Sequence, residues 1–166
     1  TLMKFNRDSI RRGAIALRRF FKETTGTEPA MLDVSDKKTG AFNYVIALGK
    51  TPYSEALGLK PETYPREGFE VRTFEKGVVI VGMDGFTIPG VFDIFSWHSA
   101  RQRCNGTENG AMDFAERFLG VRTYSRLDDG LWNVRPKISA LTVTPIAYRD
   151  YPRFNLRGNP AFNWRL

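Results

Sequence analysis

Residues of the kinds that most often carry chemistry are thinly spread in this chain of 166 residues. There is one histidine, His98, and one cysteine, Cys104. Six positions apart, they match no usual metal-ligand spacing, and no second histidine or cysteine completes a site, so no metal centre is expected. A nucleophile–histidine–carboxylate relay would have to rest on His98 alone. The pair reads instead as a loop histidine and a small, buried or half-buried thiol. Glycine patterns that cradle phosphate or dinucleotide are missing too, since Gly82, Gly85 and Gly90 have the wrong spacing, and no cofactor is expected. Asn105-Gly106-Thr107 has the form of a glycosylation sequon, a triplet that is common by chance.

Sugar hydrolysis needs a proton donor and a second carboxylate flanking one bond. Asp128-Asp129-Gly130 contains the only adjacent acidic pair. Its glycine and its distance from any apolar run mark a turn, and a solvated turn does not raise a carboxyl pKa. Glu108, Asp113 and Glu116 fall on the solvent side of a predicted helix. On these residues alone the chain shows no catalytic constellation, and no catalytic residue is assigned.

The elements that would position such residues are legible from periodicity. The first is a helix over 8–25, capped by Asp8 or Ser9. Its apolar stripe is Ile10, Ala14, Leu17 and Phe21, and Gly26 supplies a left-handed stop. Arg11, Arg12, Arg18, Arg19 and Lys22 form its solvated side, with Ile15 among them and no apolar partner in view. "YVIALG" (44–49) reads as a strand buried on both faces. "GFEVRTFE" (68–75) alternates Phe69, Val71 and Thr73 against Glu70 and Arg72, as a half-solvated strand does. "VVIVG" (78–82) returns after Glu75-Lys76-Gly77, so 68–82 is a hairpin. Three prolines and little periodicity make 50–67 a surface loop. A second helix over 107–119 buries Ala111, Met112, Phe114, Ala115, Phe118 and Leu119, and Gly120 ends it. "VRTY" and "ALTVTPIAY" (140–148) read as later strands. The stretch 85–105 reads as an insertion that gathers Phe86, Phe92, Phe95 and Trp97. Two amphipathic helices and about five strands predict an α+β fold, a mixed β-sheet with helices packed mainly on one face.

Composition agrees with a globular domain: 42% of the residues are hydrophobic and 26% charged. The longest apolar runs have strand length, so no membrane span is expected. No basic stretch followed by an apolar segment marks a signal peptide in these residues. The net charge of +7 is uneven. Residues 1–22 hold seven Lys/Arg against Asp8, and 117–166 hold nine against three aspartates, whereas 23–116 is acidic. The basic residues are single and interleaved with core positions, which argues against a nucleic-acid surface.

Two stretches, "GTENGAMDFAERFLGVRTYSR" and "NVRPKISALTVTPIAYRDYPRFNLRG", resemble the junction in glycoside hydrolases of the β-hexosaminidase and α-glucuronidase type. There a non-catalytic N-terminal α+β domain precedes a (β/α)8 catalytic barrel. The residues that match are Gly106, Thr107, Gly110, Phe114, Glu116, Leu119, Gly120, Val121 and Arg122, then Val134, Pro136 and Lys137, then Leu141-Thr142-Val143, and finally Asp150, Pro152, Phe154, Arg157 and Gly158. Earlier elements follow in the same order, so the resemblance covers most of 8–158. It departs at 85–105, where the family passes almost directly from strand to helix, and at the start, where the family's first strand is missing or reduced to "LMKF".

The resemblance implies an accessory domain over 1–148, with 149–166 as linker and start of a catalytic barrel that the sequence does not contain. The aromatics of 149–166, Tyr151, Phe154, Phe162 and Trp164, would belong to that interface. By motif match Arg157 would hydrogen-bond the sugar in the cleavage subsite of the full-length protein. Trp97, with the phenylalanines of 85–105, would either stack on a sugar face or pack against the neighbouring domain. The implied partners are the C-terminal catalytic domain of the same chain and, through it, a poly- or oligosaccharide, and the implied location is secreted or periplasmic. A free-standing interaction domain for a polyanion or protein partner is the alternative that the charge pattern leaves open.

Overall fold

The computed structural model describes residues 2–33, 42–86, 103–123 and 133–153. The first helix, α1 (Leu2–Thr25), begins earlier than Asp8, so Asp8 and Ser9 lie inside it and cap nothing. Its buried seam is Ser9, Gly13, Leu17, Phe20 and Thr24, one position off the predicted stripe over much of its length. The seam follows small residues because a second helix packs close: a Cβ on Gly13 would lie 3.2 Å from the Cα of Glu108. Ile10 and Phe21 flank it, half-buried, and Ile15 is 50% exposed among the arginines. Gly26 ends the helix at a φ of +76°, its N–H bonded to the carbonyl of Lys22.

A four-stranded mixed sheet forms the centre. It contains β1 (Val45–Leu48), β2 (Phe69–Phe74), β3 (Gly77–Gly82) and a late strand, Ala147–Asp150, in the order β1, β3, β2, late strand. β2 and β3 make the expected hairpin, joined by Glu75 and Lys76, while β1 runs parallel to β3. β1 is an edge strand and only partly buried, with Tyr44 before it 84% exposed. Its continuous apolar character still reflects two covered faces: Ile46 and Leu48 pack on the side of the long helices and Val45 and Ala47 on the other, and the partial exposure comes from the open edge. Two short ribbons flank the second long helix in sequence among the described residues. β4 (Asp84–Phe86) pairs with β5 (Arg103–Asn105), and after α3 (Gly106–Phe118) β6 (Arg122–Thr123) pairs with β7 (Asn133–Val134). The late strand is therefore β8. It starts only at Ala147, since Pro145 removes a ladder N–H from the stretch predicted as strand.

α1 and α3 cover one sheet face. Leu17 and Phe20 of α1, Phe114 and Ala115 of α3 and its C-cap residue Leu119 meet Phe69, Val71, Val78 and Ile80 in one buried cluster. Each large side chain buried here contributes about 2 kcal/mol. The architecture is α+β with a mixed sheet, as the periodicity predicted.

The opposite face holds the main departure. Segment 50–67 folds over it as a short helix, α2 (Pro52–Ala56), and a 3-10 turn, Pro61–Thr63. Thr51 and Ser54 cap α2 reciprocally, which explains how a helix this short forms at all. Leu59 and Tyr64 then bury Ala47, Val79 and Val81. Two of the three prolines that suggested a surface loop, Pro52 and Pro61, sit at helix first turns, where Pro is favoured. No helix among the described residues is long and apolar enough to cross a membrane.

Three glycines bring the layers together. Gly68, Gly82 and Gly106 meet backbone to backbone: a Cβ on Gly106 would lie 2.5 Å from the carbonyl oxygen of Gly68, and one on Gly82 2.5 Å from Thr107 N. Met83 N–H donates to Gly68 and Gly106 N–H to Met83, which fixes the start of α3 against the hairpin.

Candidate functional site

Three gatherings of polar side chains among the described residues bear on the sheet and on α3. The most buried is Glu70, which the alternation of β2 placed in solvent and whose side chain is 4% exposed. It points to the face covered by segment 50–67. Arg149 of β8, directly opposite in the β2–β8 register, donates to its Oε2 through Nε at 3.2 Å and Nη2 at 2.8 Å. Tyr64 OH donates to the same oxygen at 2.9 Å, and Arg72 Nη2 bonds Oε1. The Arg149 guanidinium also lies 4.3 Å from the centre of the Tyr64 ring. Burial pushes the Glu70 carboxyl up, but the bonds from Arg149 and Tyr64 and the Arg72 charge outweigh it and hold the pKa below the usual value. Burial and the neighbouring carboxylate push Tyr64 up to about 12. A carboxylate this saturated is a poor base and a good clamp.

The second cluster lies at the start of α3. Asp84 of β4 accepts from Thr107 twice, at 3.0 Å from the backbone N–H and at 2.5 Å from the hydroxyl. Thr107 in turn accepts from Gly82 N–H at 2.9 Å. Asp84 thus caps α3 from outside its own sequence. Burial raises its carboxyl to about 6; the Thr107 bonds oppose this and the nearby Glu108 charge adds to it. Such a group exchanges protons near neutrality, yet both its oxygens hold the helix. Glu108 itself receives Arg12 from α1, with Nη2 at 2.6 Å and Nε at 3.1 Å. The third cluster joins α3 to β8: Asp113 accepts from Arg117 Nε and from Tyr148 OH, each at 2.7 Å.

Of the residues singled out from the sequence, Trp97, His98, Asp128, Asp129 and Arg157 lie outside the described residues. Cys104 is buried, and burial raises its thiol pKa. Glu108 and Asp113 are anchored in ion pairs rather than simply solvated, whereas Glu116 is exposed. Among the described residues no group of three His, Cys, Asp or Glu side chains could hold a metal ion. The Glu70–Arg149–Tyr64 cluster escaped sequence reading because its members come from three elements whose pairing is not local. The one signal was the charge of Glu70 and Arg72 on a strand that the hairpin makes central. No family model matches this chain, and neither a curated protein nor a solved structure shows detectable similarity to it.

Proposed function

We propose that this chain is a non-catalytic N-terminal accessory domain of a carbohydrate-active enzyme, a glycoside hydrolase, that braces a C-terminal catalytic barrel. One observation carries the reading: among the described residues, a core set of the motif positions shared with that enzyme type helps build the fold. Gly106 closes against Gly68, Thr107 links Asp84 to Gly82, and Gly110 lies where a Cβ would press on Phe69 and Ile80. Phe114 and Leu119 fill the core, Gly120 turns at a φ of +66°, and Arg122 bonds the Glu116 carbonyl at the end of α3. Asp150 ends the edge strand, at the point where the family's motif leads toward its barrel.

The polyanion alternative is weakened by α1. Arg12 is paired with Glu108, Arg18 and Lys22 with Glu28, and Arg19 with Glu23. In the full-length protein Arg157 would reach the sugar and Trp97 would line one wall of the cleft, and export to the periplasm or medium belongs to the same proposal. The test is hydrolysis of a panel of aryl glycosides by the full gene product, with and without this domain. Hydrolysis that survives in the domain-deleted enzyme but is lost at a lower temperature supports bracing. Full-length protein inert toward every aryl glycoside, and Trp97→Ala without effect on oligosaccharide affinity, would count against it.

A further inference from the structure

β8 is the last strand of its sheet, and no described strand lies on its outer side. The bond from Thr73 N–H to the Ile146 carbonyl sets the phase of the β2–β8 ladder. Along an antiparallel pair, residues alternate between bonding the partner strand and turning away from it. Ile146, Tyr148 and Asp150 therefore face β2, while Ala147 and Arg149 turn their N–H and C=O groups outward. Both are exposed. Such a row is a template for strand addition.

Charge decides which strand fits. Arg72 and Arg149 share the single carboxylate of Glu70, which leaves one positive charge in excess on the sheet face that carries Arg149, while Asp150 on the other face is paired with Arg117. Arg149 directs Nε and Nη2 to Glu70, and 52% of its side chain is exposed, within reach of an acceptor on an added strand. A second copy of this chain, pairing through β8 about a two-fold axis, would bring both Arg149 side chains together on one face, and facing like charges destabilise a strand pair. An acidic strand meets no such penalty.

We propose that the outer edge of β8 accepts an extended acidic peptide segment of a partner protein. Its backbone bonds Ala147 and Arg149, and a carboxylate side chain meets the Arg149 guanidinium. This inference stands apart from the glycoside-hydrolase reading, and its test involves no sugar.

The test is fluorescence anisotropy of a fluorescein-labelled peptide of alternating glutamate and threonine, titrated with the 166-residue chain. A lysine–threonine peptide serves as control. Saturable binding of the glutamate peptide alone is expected, weakened roughly tenfold or more by Arg149→Gln, which removes a charge-assisted bond. Because that variant also unpairs Glu70, Ala147→Pro provides the second arm. Proline removes an outward N–H and leaves the β2 ladder intact, so the fold persists while peptide binding is lost. Hydrogen exchange should show Ala147 and Arg149 amides slowing when the glutamate peptide binds. Equal binding of the lysine peptide, undiminished binding to Ala147→Pro, or a self-dimer that Ala147→Pro abolishes would each overturn the proposal.

Discussion

The Glu70 carboxylate on β2 lies 2.8 Å from Nη2 of Arg149 on β8, and the Arg149 guanidinium lies over the ring of Tyr64, whose hydroxyl donates to the same carboxylate. This contact ties the edge strand to the hairpin and both to the layer formed by 50–67. Glu70→Gln leaves Arg72 and Arg149 facing a neutral group. The expected loss is about 2–4 kcal/mol, read from urea unfolding. The Glu70 pKa is held low in the folded chain, so its contribution is present above the ordinary carboxylate value and lost as pH falls through the folded one. The gap between wild type and Glu70→Gln should therefore close on acidification.

Asp84 has the opposite sign. The folded chain holds its proton more tightly than the unfolded chain, with a pKa near 6 against 3.8. Its favourable contribution is complete below 3.8 and is lost as pH rises through about 6. Asp84→Asn keeps a capping oxygen without the buried charge. It should raise stability by about 1–3 kcal/mol near neutral pH, with the gain vanishing below about pH 4, as measured by urea midpoints across that range.

Gly82→Ala puts a methyl group against the backbone of Gly106 and Thr107, where neither neighbour is a flexible side chain. A loss of more than about 3 kcal/mol, or failure to fold, is expected in thermal melts. Gly26→Ala has open space around its Cβ and pays only for left-handed backbone, about 1 kcal/mol.

On α1 and α3 the contrast is between Ile15 and Leu119. Ile15→Gln should change stability by less than about 0.5 kcal/mol, whereas Leu119→Ala, at a fully buried site, should cost about 2–5 kcal/mol by urea denaturation.

The helices and the hairpin were legible because each buries one face and its period is local. The α1 seam slipped by a position because close helix contact selects Gly13 and Ser9, which hydropathy does not mark as core. Segment 50–67 was not legible, since its cover of the sheet rests on a Thr51–Ser54 cap and two isolated large residues, Leu59 and Tyr64. The Glu70 cluster was hidden for another reason. Alternation tells which residues share a face, and only the tertiary layer decides whether that face is wet.

The central claim is that the chain serves as the accessory domain of a larger enzyme. Its most direct test is the mass of the native gene product, by immunoblot of source cells with antibody raised to this chain. The account predicts one band several times the mass of the 166-residue chain. A band at the mass of this chain alone would contradict it.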